Sequence, residues 1–392
     1  MRHVRSFFLL VLVLPSALAG QSVLGASGLG ARLEPLDAIQ RGLGGMGVTT
    51  RTATVLPGNP VASLDLLAPT VTFTAQPHWG DFEVGSESGD FFATRFPIIG
   101  FAYPLGTDAV VTLTAGSQFD QNWSAESRDS VDIGGGSVGI TDTFLSDGAV
   151  TAIQAGWARR WSTTFALGVT LGVYRGGLVR SFVREFDQET ADSVALENPI
   201  DAFGVTGRWN HSGPLASLNL AWDPSSAIQV GATVAWGGTL KVNPLPGTSV
   251  GREVSVPLEF KGSATALLNP TLALNLGATY SDWSDLGSLD DDGAGAGRVM
   301  SYGAGVEWEG LNFWAGGFPL RLGFRQSDLP FRLLGKKVKE RTISFGFSLV
   351  MAQALGFPLG SLDVAFETGN RNSGDYRETL RRLTLSLRVG GQ

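Results

Sequence analysis

Apolar and polar residues alternate along most of this chain. Leu383, Leu385, Leu387 and Val389 interleave with Arg382, Thr384, Ser386 and Arg388, and Ile343, Phe345, Phe347, Leu349 and Met351 with Thr342, Ser344, Gly346 and Ser348. Val254, Val256, Leu258 and Phe260 alternate in the same way with Glu253, Ser255, Pro257, Glu259 and Lys261. Successive side chains of a strand face opposite sides, so each run predicts one apolar and one polar face. The rhythm predicts strands near Thr70–Trp79, Phe92–Pro104, Asp108–Phe119, Gly148–Trp161, Thr163–Arg175, Asn210–Trp222 and Ala227–Leu240. It continues near Arg252–Leu268, Thr271–Trp283, Val299–Trp308, Phe318–Arg325, Val338–Met351, Gly360–Asn370 and Thr379–Val389.

A soluble sandwich also alternates. Run length separates the two: many of these runs reach about ten residues, what a tilted strand needs to cross a bilayer, against about five or six in an ordinary strand. The connections alternate as well. Leu105-Gly106-Thr107, Ser162, Asp223-Pro224-Ser225-Ser226 and Asn269-Pro270 are tight, whereas Asp120 to Asp147 and Gly176 to Trp209 are long and polar. Short turns at one end and long loops at the other mark an outer-membrane barrel. Trp79, Trp157, Trp161, Trp222, Trp236, Trp283 and Trp308 fall near strand ends, as interfacial girdles do. The expected fold is therefore all-β: a transmembrane antiparallel barrel of about fourteen strands over residues 70–392. Phe203 to Ser212 leaves room for one more strand, and Glu309 to Gly317 is long for a periplasmic turn.

The start of the chain reads as an export signal over residues 1–19. Arg2 and Arg5 precede an apolar run from Phe7 to Leu14, and Ala17-Leu18-Ala19 follows. No later stretch is apolar enough for a spanning helix. With 36 acidic against 29 basic residues, the chain lacks the basic surface that nucleic acid requires. It has no cysteine, which removes disulfides and thiol chemistry, and only three histidines. His78 and His211-Ser212 have no acid or amide at a spacing that completes a hydrolase site. Asp290-Asp291-Asp292 lacks the spacing of a calcium loop, so neither metal nor cofactor is expected.

Fourteen strands leave a lumen. The polar faces assign Glu253, Glu259, Lys261, Glu307, Arg321, Arg325, Asp363, Glu367, Arg382 and Arg388 to it, as ion pairs or as the lining of a path. The segment 20–69 lacks sustained alternation and carries Gly42-Leu43-Gly44-Gly45-Met46-Gly47. No strand, helix and acidic residue frame these glycines as a dinucleotide loop. A glycine-rich segment packed against other backbone suits a short hatch in the lumen instead. In the long external connections the most apolar patch is Leu178, Val179, Phe182, Val183 and Phe186, with Arg180 and Arg184 among them. Such a patch suits an external pocket that holds a carboxylate, or equally an amphipathic helix on the rim.

Arg41-Gly42-Leu43-Gly44-Gly45-Met46-Gly47-Val48, followed by Gly58-Asn59-Pro60-Val61-Ala62-Ser63-Leu64, resembles the N-terminal signature of the FadL-like outer-membrane transport proteins. The run from Pro319 to Phe331, Ile343 to Phe347 and Arg382 to Leu387 resemble that family's late strands. Val61 stands where the family has Ala, and Gly390-Gly391-Gln392 where it has a terminal aromatic residue. The resemblance implies a monomeric fourteen-stranded barrel, inserted by the barrel-assembly machinery among outer-membrane lipid. It implies a hatch that includes Gly42, Gly44, Gly45, Met46, Gly47, Asn59 and Pro60. It also implies passive uptake of hydrophobic compounds such as long-chain fatty acids, with sideways release. PorV-like members, which hold secretion partners, and general porins are the alternatives.

Overall fold

The computed structural model describes residues 29–49, 52–85, 87–133, 136–189, 201–248, 250–285, 296–313, 316–333, 335–354 and 357–391. The export signal of residues 1–19, residues 20–28 of the hatch segment and the Asp290-Asp291-Asp292 run lie outside them.

Fourteen antiparallel strands form a closed cylinder. In chain order they begin with β1 (Thr70–Val84), β2 (Glu87–Leu105), β3 (Ala109–Asp120), β4 (Gly136–Ser162), β5 (Phe165–Phe186), β6 (Phe203–Ser225) and β7 (Ile228–Trp236). The second half is β8 (Glu259–Asn269), β9 (Leu272–Asp282), β10 (Arg298–Trp308), β11 (Leu320–Leu333), β12 (Lys336–Ala354), β13 (Phe357–Ser373) and β14 (Tyr376–Gly390). β1 pairs with β14 from Thr70 opposite Gly390 to Val84 opposite Tyr376, which seals the wall. Closure matters because a backbone polar group has no water to turn to inside a bilayer.

The two faces follow the sequence rhythm. Leu322, Ile343, Phe345 and Leu387 are exposed on the outer surface, whereas Thr74, Ser344, Thr384 and Ser386 are buried toward the lumen. The outward set forms the apolar belt that lipid solvates. β1 begins and β14 ends at the end that also carries the tight turns after β2, β4, β6 and β8, the periplasmic end by the short-turn rule. The long connection at that end, after β10, holds a small ladder of Asn312–Phe313 with Gly316–Gly317.

Two expectations are corrected. The stretches 120–147 and 176–209 are not loops throughout. β4, β5 and β6 run 27, 22 and 23 residues, and Trp123–Ile133 adds a further strand along upper β4. Both faces of Trp123–Ile133 are largely exposed, so no apolar side was selected and the alternation is missing there. Phe203–Ser212 is the upper part of β6, not an additional barrel strand.

The second correction concerns two neighbouring strands. β7 stops at Trp236 and resumes as Thr239–Pro244, and β8 is preceded by a separate piece, Arg252–Ser255. Gly237-Gly238 and Val256-Pro257-Leu258 interrupt the wall side by side. Above the interruption the two pieces pair with each other and Thr239–Pro244 also pairs with upper β6, while below it β7 pairs with β8. Pro257 has no amide hydrogen for a ladder bond. Glu253, expected in the lumen, therefore lies on the exposed face beside Lys241, at 3.4 Å, and Val254 takes the inward position.

Candidate functional site

From Leu29 onward the chain fills the lumen before the wall begins. Ala31 and Arg32 pair with Asp120 and Phe119 of β3. A single helical turn, α1 (Ala38–Gly42), is capped by Asp37, whose Oδ1 accepts from the Gln40 amide at 2.8 Å and whose Oδ2 accepts from the Thr54 hydroxyl at 2.5 Å. The Ala38 amide donates to the Ser386 hydroxyl of the wall at 2.9 Å. The glycine motif then meets glycines of the barrel. Leu43 backbone lies against Gly305, and Gly44 against Gly303 and Gly323, each too close to admit a side chain on the wall, and Gly42 packs against Gly346. Gly44, at φ +84°, also needs the left-handed region that only glycine enters cheaply. Met46 lies over Gly277 and Gly303. The Asn59 amide donates to the carbonyls of Val48 at 3.2 Å and Gly47 at 3.4 Å, and Pro60 starts a short 3-10 turn against Gly156 and Gly168.

Charges tie this plug to the wall. Arg325 of β11 donates to both Glu34 carboxylate oxygens at 2.5 Å. Arg32 pairs with Glu259, which Lys261 also reaches at 2.9 Å. Arg41 lies 3.8 Å from Glu367, as does Arg382. Arg388 bonds the Ala53 carbonyl and lies 3.1 Å from Asp363. Between wall strands, Arg321 meets Glu307 at 2.6 Å and the Ser348 hydroxyl at 2.7 Å. Glu340 accepts from Arg371 at 2.7 Å and Arg382 at 2.9 Å. Glu34, Glu340 and Arg371 were not among the residues singled out from sequence. Glu340 falls on the inward phase of a recognised strand, and that phase is the signal that could have found it.

Above the plug the lumen turns apolar. Leu29, Phe119, Tyr174, Leu215, Leu240, Val254, Trp283 and Phe331 form one buried cluster, with Trp283 edge-on to Phe119 and Phe331. The Arg32 guanidinium stacks 5.4 Å from the Trp283 ring centre. Beside this cluster lies a cavity of about 100 Å³ that reaches Trp236, Gly237, Val256 and Pro257, the residues of the wall interruption.

The apolar patch expected in an external loop sits on upper β5. Register places Phe182 opposite Phe144 of β4 and Val205 of β6, and Phe182 ring centres lie 5.0 Å from Phe144 and 6.3 Å from Phe203. Arg184 donates to both oxygens of Asp142 at 2.7 and 2.6 Å. By period two, Arg180, Phe182, Arg184 and Phe186 continue the face that carries buried Tyr174 and Leu178 below, with Val179 and Val183 on the other face.

No protein-family model and no curated protein matches the sequence. Solved structures do match the fold. A Pseudomonas aeruginosa FadL homologue superposes with a TM-score of 0.61 at 12% identity, over 92% of this chain and 98% of that one. The CymD monoaromatic hydrocarbon channel gives 0.59 at 11% identity, over 91% and 98%. The Ralstonia pickettii toluene transporter TbuX gives 0.58 at 12% identity, over 92% and 99%. The chain has the FadL fold. With that fold and its apolar outer belt, the barrel is a protein of the bacterial outer membrane.

Proposed function

We propose that this FadL-fold barrel is a passive channel for small hydrophobic compounds, which enter along the inner face of upper β4–β6 and leave sideways through the interruption in β7 and β8. The observation that carries the reading is the juxtaposition of the apolar cluster, the cavity and the broken wall. The lower lumen offers an apolar solute no open path, since it is packed with the plug, the buried Arg321–Glu307 pair and the apolar cluster that Val55 and Leu64 make with Ala102, Val110, Ala158 and Ala166. A side exit leads instead to lipid, where such a solute partitions without an energy source. The interruption lies about nine residues up from the periplasmic turn, roughly 30 Å along a strand that tilts across a ~25 Å apolar band. Trp236, Leu258 and Phe260, exposed on the outer surface there, border the exit.

The cavity favours the smaller end of the substrate class. Apolar cavities near 150 Å³ accept benzene, so about 100 Å³, with Phe119, Tyr174, Leu215 and Trp283 on one side and Arg32, Glu34, Glu259 and Lys261 on the other, suits at most one aromatic ring on its apolar side and not the length of a fatty acid. The CymD channel and the TbuX transporter, named for monoaromatic hydrocarbons and toluene, support that choice. Leu215 is buried and lines the cavity, so Leu215→Trp fills it from the lumen side. Uptake of radiolabelled toluene by cells bearing equal amounts of folded barrel is expected to fall about tenfold. Uptake equal to that of the unsubstituted protein would refute the side route.

A further inference from the structure

Positive charge gathers on the outer surface of β12–β14, above the apolar belt and away from the lumen. On β12, Lys337, Lys339 and Arg341 are exposed, while Val338, Glu340 and Thr342 between them are buried inward. On β14, Arg377 and Arg381 share that outer face, with Asn370 and Asn372 of β13 between the two strands. Three rungs of the ladder set the spacing. Lys339 lies opposite Asn372, which lies opposite Arg377; Arg341 opposite Asn370, then Thr379; Ile343 opposite Thr368, then Arg381. Strands lie about 4.8 Å apart, so Lys339 and Arg377 flank Asn372 from backbones about 10 Å apart. Two long cations at that separation can close on one phosphate with an amide beneath it.

The surroundings narrow the ligand. Directly below are Phe345, Phe366 and Leu383 on the outward face, with Trp79 packed 6.3 Å from Phe366. The site is thus amphipathic, with cations above and hydrocarbon below. Acids flank it on both sides: on β1, Glu83 lies opposite Arg377 and Asp81 lies 3.7 Å from Arg381; on β11, Asp328 lies opposite Lys339; and Asp375 stands in the last hairpin. Arg341 donates to Gln326 at 2.9 Å. Among the described residues, Lys337, Lys339, Arg341 and Arg377 form no ion pair. This concentration occurs on a chain of net charge −7, and the hairpins at this side are short, so the described residues leave it uncovered.

We propose that this face binds a phosphorylated lipid of the outer leaflet, its phosphate held by Lys339, Arg341 and Arg377 and its acyl chains laid along Phe345, Phe366 and Leu383. The site is independent of what passes through the lumen. The test uses the detergent-solubilised full-length barrel and native mass spectrometry, with bis-phosphorylated lipid A as the probe. Dephosphorylated lipid A and excess inorganic phosphate serve as the comparison arms. The bis-phosphorylated form is expected to be retained, and the K339Q/R341Q/R377Q variant to bind it about a hundredfold more weakly. K339R/R341K/R377K, which keeps the charge, should retain it. Heat-modified gel migration reports that each variant is a folded barrel. Equal retention of the dephosphorylated lipid, displacement by inorganic phosphate, or undiminished binding by the folded K339Q/R341Q/R377Q variant would each overturn the proposal.

Discussion

Val254 and Leu258 lie four residues apart in one descending segment yet face opposite sides of the wall: Val254 is fully buried inward, while Leu258 is 46% exposed on the outer surface. An even spacing keeps side chains on one face, so one residue must slip between them. The neighbouring strand slips at the same height, with Trp236 49% exposed outward and Leu240 fully buried. Two strands that change phase together preserve their mutual pairing, and the first of them resumes its ladder with β6 above the slip.

Gly238 makes that slip possible. Its φ of +58° is left-handed, and a side chain there would meet the Pro214 carbonyl oxygen at 2.6 Å. Gly238→Val is expected to destabilise the barrel by about 2 kcal/mol. Gly247→Val, with φ +90° and open space around it, carries the backbone strain alone and should cost less. Unfolding temperatures in detergent, read by heat-modified gel migration, compare the two.

The barrel was legible because lipid on one side and a polar lumen on the other impose the same alternation on fourteen strands. Where that pressure lapses, the sequence falls silent. Residues 123–133 stand in water on both faces and carry no rhythm, so a strand read as loop. Glu253 was misplaced because the slip at Pro257 reverses phase without a change in spacing. The glycine motif pointed to close backbone packing, but its partners Gly303, Gly305, Gly323 and Gly346 become visible only once three strands stand together. Glu34 and Arg325, 291 residues apart, meet only after closure.

Those wall glycines give a second prediction. Gly305→Val places a side chain where Leu43 backbone now lies, so the plug must leave its seat. Single-channel conductance in planar bilayers is expected to be small for the unsubstituted barrel, because plug and ion pairs occupy the lumen, and several-fold larger for Gly305→Val. An equally small conductance in a folded Gly305→Val barrel would show that the plug tolerates displacement without opening a path.

The Glu34–Arg325 pair sets the pH range over which the plug holds. Burial alone would raise the Glu34 carboxyl, but Arg325 outweighs it and holds that group well below its usual value near 4.5. Because the folded value lies below the unfolded one, the stabilisation is complete above about pH 4.5 and is lost as pH falls through the folded value. Arg325→Met removes the largest of the cations that hold Glu34 down and leaves Lys261 and Arg32 beside it, so the Glu34 value is expected to rise toward 4.5 and the plug to loosen at a higher pH. Conductance between pH 3 and 8 reads this out: it rises as pH falls, and does so at a higher pH for Arg325→Met than for the unsubstituted protein.

Phe182 and Arg184 divide the external face into an apolar and an ionic part, and the two can be separated by substrate. Phe182 packs against Phe144 and Phe203, so Phe182→Ala removes ring surface that any hydrophobic solute would touch. Affinity for toluene and for a long-chain fatty acid should both fall about tenfold. Arg184 is already committed to Asp142 through two hydrogen bonds. Arg184→Gln is therefore expected to leave toluene affinity unchanged and to alter fatty-acid affinity less than about twofold. A tenfold loss for the fatty acid alone would mean that the guanidinium exchanges Asp142 for the ligand carboxylate, and would make Arg184 the anchor for an acidic headgroup. Calorimetric titration of the two solutes into the detergent-solubilised variants decides between these outcomes.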